Sequence, residues 1–104
     1  MRACALSDLP EEGAIRVVLD GVALCVAQSL GQVFAVSDVC SHADVSLAEG
    51  DVEDGTVECW LHGSRFDLRT GTPTGLPATK PVATYPVTLE DGDVHVALNA
   101  KLEK

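Results

Sequence analysis

With 104 residues, 46% of them hydrophobic, the chain is the size of one domain that can bury a core without disulfide staples. A formal charge of −9 argues against nucleic acid and anionic membrane surfaces as partners, since binding to either takes clustered Lys and Arg. No apolar run approaches the roughly 18 residues of a membrane span. The opening Met1-Arg2-Ala3-Cys4-Ala5-Leu6 lacks the apolar core of a signal peptide, so a cytoplasmic location is expected.

In chain order, the first clear element is Ile15 to Leu19, β-branched and apolar, which reads as a strand. Asp20-Gly21 marks a tight hairpin turn, and Val22 to Ala27 is the returning strand, carrying Cys25. Leu30-Gly31 turns the chain again into a strand from Gln32 to Ser37. The middle, from about Asp38 to Pro81, is different: Gly50, Gly55, Gly63, Gly71 and Gly75 with Pro73, Pro77 and Pro81 keep strands short. Ala43 to Ala48 has room for one short helical turn. Tyr85 to Leu89 and Val94 to Leu98 then flank Asp91-Gly92 as a closing hairpin. No segment keeps apolar residues at i, i+3, i+4 over three turns, so the fold class is all-β. The expectation is a single domain over 1–104: an antiparallel β framework (1–37 and 82–100) with a loop-rich insertion at about 38–81, ordered by a cofactor.

The insertion contains Cys40-Ser41-His42 and, after sixteen intervening residues, Cys59-Trp60-Leu61-His62. Two thiolates and two imidazoles can hold zinc or an iron–sulfur cluster. A Cys₂His₂ zinc site usually pairs Cys with Cys and His with His, whereas each motif here mixes the two. The mixed spacing suits two irons, each loop sending its Cys to one and its His to the other. A zinc-stabilised interaction module is the rival of a different class.

The pattern C-x-H…C-x-x-H-G-x-x-F-D, matched at Cys40, His42, Cys59, His62, Gly63, Phe66 and Asp67, resembles the Rieske [2Fe–2S] family. The likeness is greatest to the ferredoxins of bacterial aromatic-ring dioxygenase systems, and it includes Leu76-Pro77-Ala78 and Tyr85-Pro86-Val87. It implies the Rieske iron–sulfur fold and one [2Fe–2S] cluster per chain. Cys40 and Cys59 would bind the inner iron, and His42 and His62 the outer iron near the surface. Ser64 stands where a donor to a bridging sulfide is found. Phe66 replaces a Tyr that donates to a cysteine sulfur in respiratory members. Pro77, with Pro73, would brace a loop over the cluster. Val45 and Leu61 occupy the positions of a disulfide in those same members, so that bridge is absent here. Fewer donors stabilise the reduced state less, which predicts a potential at the low end of the Rieske range.

The implied function is electron transfer, from an NAD(P)H-dependent flavin reductase to a terminal Rieske oxygenase of the biphenyl, naphthalene or carbazole type. The chain itself is a carrier, not an enzyme, and is expected to be monomeric when free. It carries no G-x-G-x-x-G fingerprint of its own. The alternative is a small Rieske subunit of another oxidoreductase, such as a nitrite reductase, or a protein linked to iron–sulfur assembly. From Asp20 to Glu58 the chain has eight acids and no Lys or Arg. Asp38, Asp44 and Glu58 lie close in sequence to ligands, which predicts basic docking surfaces on the partners. Cys4 and Cys25 are expected to be buried packing residues, and His95 an exposed strand residue.

Overall fold

The computed structural model describes residues 2–39, 45–60, 63–74 and 80–98. Its strands are β1 (Arg2–Ala5), β2 (Gly13–Leu19), β3 (Val22–Ser29), β4 (Gln32–Ser37), β5 (Val52–Glu53), β6 (Thr56–Glu58), β7 (Arg65–Asp67), β8 (Thr84–Tyr85), β9 (Val87–Glu90) and β10 (Asp93–Val96). The only helical elements among the described residues longer than one residue are two short 3-10 turns, Leu6–Asp8 and Leu47–Glu49. The strands form three antiparallel sheets: β2-β3-β4-β8, β1-β10-β9 and, inside the insertion, β5-β6-β7.

The hairpins form because their tips supply the required backbone. Asp20, Leu30, Asp54 and Asp91 have φ of 51°, 54°, 51° and 50°, and each precedes a glycine that is also left-handed. Two left-handed residues in a row make the turn whose twist matches the flanking strands. Asp tolerates that conformation; Leu30 does so at the cost of strain.

β3 explains the two cores. It lies between β2 and β4, and its side chains alternate between faces. Cys25 and Ala27 enter one core, with Val36, Leu47, Val57, Cys59 and Phe66. Leu24 and Val26 enter the other, with Cys4, Ala35, Val94 and Val96. A strand covered on both faces has no polar side, which is why Val22 to Ala27 reads as a continuous apolar run.

Three expectations change. The strand predicted over Tyr85 to Leu89 breaks at Pro86, which has no N–H for a ladder. The last strand ends at Val96, where Ala97 N–H turns back to Pro86 C=O at 3.1 Å. The helical turn lies at Leu47–Glu49; Ala43 and Asp44 are outside the described residues. β1 and the small β5-β6-β7 sheet carry too few alternating residues to announce themselves.

Candidate metal centre

Both predicted ligand motifs are flanked by described residues that hydrogen-bond to one another. At the first, Val39 and Ser46 form an isolated antiparallel bridge around residues 40–45. Asp38, at the end of β4, anchors this base from both directions. Its backbone N–H donates to Ala23 C=O at 3.0 Å, and its C=O accepts from Leu47 N–H at 2.7 Å. Its carboxylate, only 2% exposed, accepts from the Ser46 hydroxyl and from Ala48 N–H at 2.9 Å, and pairs with Arg16 Nε at 3.2 Å. At the second base, Cys59 N–H donates to Ser64 C=O at 2.6 Å, and Gly63 N–H donates to Cys59 C=O at 2.8 Å. Gly63 is left-handed (φ 77°), which lets the chain fold back after the motif.

The two bases are packed together. The 3-10 turn after the first loop ends at Gly50, against the last residue of β6. A Cβ on Gly50 would lie 1.7 Å from Glu58 C=O, so only glycine permits this approach. Leu47, Val57, Cys59 and Phe66 share the core beneath.

Of the predicted ligands, the structure describes Cys59, which is fully buried. Cys40, His42 and His62 lie outside the described residues, as do Asp44, Leu61 and Pro77. Ser64 and Phe66 are buried beside Cys59, at 1% and 0% exposure. Val45 packs half-buried against the same core. Pro73 forms an isolated bridge with Phe66, holding the segment after β7 against the base of the second loop.

The one described member of the predicted ligand set, Cys59, is a free thiol buried among apolar side chains, where it could serve as a thiolate ligand to an iron–sulfur cluster. A thiolate enclosed among apolar side chains is costly unless a cation neutralises it, which bound iron would do. The two remaining cysteines behave as packing residues. Cys4 and Cys25 are buried and free. Burial, and then the nearby Asp38 charge, pushes the Cys25 thiol up to about 12. Burial also raises Cys4. His95 is half-buried on β10, 3.9 Å from Glu90, rather than fully exposed.

The expected acidic face is altered by this geometry. Asp38 is buried under Arg16, and Glu58 lies 3.9 Å from Arg65, which also faces Glu53 at 3.8 Å. Asp38 is therefore not a free surface charge, whereas Glu58, 32% exposed, shares the single Arg65 with Glu53, and that trio keeps a net negative charge. Asp38 and the Gly50 approach were not singled out as structural anchors from sequence; their only signal is proximity to the motifs.

A family model for the Rieske [2Fe-2S] domain matches residues 1–86. The chain belongs to the Rieske family. The ferredoxin subunit of 3-phenylpropionate/cinnamic acid dioxygenase from Escherichia coli (strain K12) is 43% identical over 97 residues, covering 92% of this chain and 91% of its own. A solved complex of reduced oxygenase and oxidised ferredoxin in carbazole 1,9a-dioxygenase contains a chain 36% identical, with a TM-score of 0.91 over 99% of this chain and 96% of that one. The carbazole 1,9a-dioxygenase ferredoxin of Nocardioides aromaticivorans IC177 is 35% identical, with a TM-score of 0.89 over 93% and 95%. This Rieske protein carries a [2Fe–2S] cluster of the Rieske type as its cofactor.

Proposed function

We propose that this Rieske protein is the ferredoxin component of an aromatic-ring dioxygenase system. It takes electrons from an NAD(P)H-dependent flavin reductase and delivers them one at a time to a terminal Rieske oxygenase. Cys40, His42, Cys59 and His62 would hold its cluster, the cysteines as thiolates and the histidines through ring nitrogens. Ser64 and Phe66 are buried at the base of the second motif, and Pro77 would brace a segment over the cluster. When bound, the cluster exchanges a single electron.

The observation that carries this reading is the change in exposure across the second motif. Cys59 is fully buried, while Trp60 beside it is 51% exposed. The motif passes from core to surface in one residue, so a group bound by it is anchored in the core and reachable from outside. That suits electron exchange between proteins. Similarity over nearly the full length to dioxygenase ferredoxin subunits supports the same reading. No helix among the described residues is long and apolar enough to cross a membrane. The free, buried Cys4 and Cys25 suit a reducing compartment, and we place the protein in the cytoplasm as a monomer over residues 1–104.

The test is reconstitution with a flavin reductase, NADH and the 3-phenylpropionate dioxygenase oxygenase. Turnover is expected only when this protein is present. Equal turnover without it refutes the carrier role.

A further inference from the structure

The sheet places Arg16. On β2 it is directly across from Cys25 of β3, and Cys25 is directly across from Val36 of β4. Residues opposite each other in an antiparallel pair stand on the same face, so Arg16, Cys25 and Val36 form one row. Cys25 and Val36 belong to the core that contains Cys59, so this is the face that the insertion covers. Asp38 is two residues beyond Val36 and continues the same alternation, its N–H still donating to Ala23 C=O at 3.0 Å. Its carboxylate therefore lies on the Cys59 side of the sheet, where Arg16 Nε meets it at 3.2 Å.

The fold needs the oxygens of Asp38, and a charge comes with them. The Ser46 hydroxyl and Ala48 N–H both donate to this carboxylate, and both donors are neutral. Among the described residues Arg16 is the cation that pairs with it. The two partners are unequally screened, since Asp38 is 2% exposed and the Arg16 side chain 56%. The Asp38 charge acts within the core of Cys59: after burial, it is the second cause that raises the Cys25 thiol, and Cys25 and Cys59 share that core. The repulsion that disfavours a Cys25 thiolate also disfavours adding an electron to a group bound at Cys59.

We infer that Arg16 is a positioning residue for electron transfer that acts through Asp38: it offsets the charge of the carboxylate anchoring the first ligand motif, and so holds the midpoint potential of the cluster above the value an unpaired Asp38 would impose. This rests on the ligand assignment above. The step concerned is a one-electron reduction. A single electron from the reductase enters the cluster, no bond is made or broken at Arg16 or Asp38, and the pair is neutral before and after.

The test is the midpoint potential of cluster-loaded protein at pH 7, titrated spectroelectrochemically and followed by visible absorbance. Arg16→Gln leaves one uncompensated buried charge and is expected to lower the one-electron reduction constant roughly three- to tenfold, a fall of about 30 to 60 mV. Arg16→Lys keeps the cation and stays within about twofold of the wild-type constant. Asp38→Asn raises the constant, by a smaller factor because the released Arg16 turns into solvent. The double variant Arg16→Gln/Asp38→Asn is neutral like the native pair and returns to within about twofold of wild type. Opposite signs in the single variants and recovery in the double distinguish a charge effect from a loosened loop base, which would move all three the same way. Arg16→Gln changes an exposed side chain, so it carries the test even where Asp38→Asn lowers cluster content. A red-brown Arg16→Gln protein with a reduction constant within about twofold of wild type overturns the role of Arg16 and leaves the ligand assignment standing. Wild-type protein that binds no iron–sulfur cluster overturns both.

Discussion

Asp38→Ala tests whether the first ligand loop is held by the buried carboxylate. The substitution removes three interactions: the Ser46 hydroxyl, Ala48 N–H at 2.9 Å and Arg16 Nε at 3.2 Å. A hydrogen bond to a charged group contributes about 1.5–3 kcal/mol. The Arg16 side chain is 56% exposed, so its share is screened and is at most about 1 kcal/mol. Ser46 and Ala48 are half-buried and recover part of their loss from water entering the space. The sum is about 3 kcal/mol, out of the roughly 5–15 kcal/mol that holds a domain folded. At about 4–8 °C per kcal/mol for this size, the melting temperature falls by roughly 12–24 °C. Cluster-loaded protein would be melted by far-UV circular dichroism and, in parallel, by visible absorbance, which reports the cluster. The loop base and the fold should fail together. Asp38→Asn keeps one acceptor oxygen but turns an NH₂ toward a donor, so it falls between wild type and Ala. A melting temperature for Asp38→Ala within 3 °C of wild type would refute the anchoring.

Three further outcomes follow from the same geometry. Phe66→Ala empties a fully buried ring site beneath the second loop and should cost about 3–5 kcal/mol in denaturant unfolding, whereas Phe66→Tyr should raise the midpoint potential if its hydroxyl reaches the Cys59 sulfur. Glu12 sits below its ordinary value, first through the Ser29 hydroxyl and then, against a smaller opposing effect of burial, through Leu30 and Asp54 N–H; its stabilising effect is present above the ordinary carboxylate range and lost as pH falls through the lowered folded value, so Glu12→Gln should melt below wild type at pH 7 and converge with it in acid. Cys4 and Cys25 should not react with a thiol reagent at pH 8 until the protein unfolds, with Cys25 held near 12 by burial, and rapid labelling of either in folded protein would contradict that placement.

Much of the framework was legible because local chemistry and global fold agree there. Asp20-Gly21 and Asp91-Gly92 are turn residues whose backbone preference survives in any context, and Gln32–Ser37 appears with the predicted bounds. Pro86 was the visible reason to break the strand near Tyr85, and the apolar run across it concealed that. The β5-β6-β7 sheet was not legible, since two- and three-residue strands have no period to detect. The site shows the same division. Cys59 and Phe66 share one core, and Cys59 N–H donates to Ser64 C=O, while the other predicted ligands lie outside the described residues. The role of Asp38 depends on Arg16, twenty-two residues away and two strands over, and sequence read it as surface charge. Gly50 looked like one loop glycine among several, and its role depends on where Glu58 lies in space.

The central claim is that two cysteines and two histidines of the paired motifs hold an iron–sulfur cluster. The most direct measurement is electron–nuclear double resonance on the reduced protein with ¹⁵N-labelled histidine, alongside iron and acid-labile sulfide content. The account predicts about two irons and about two sulfides per chain, with nitrogen couplings from about two histidines, lost in His42→Ala and His62→Ala. Zinc without sulfide, or a cluster showing no histidine nitrogen, would contradict it.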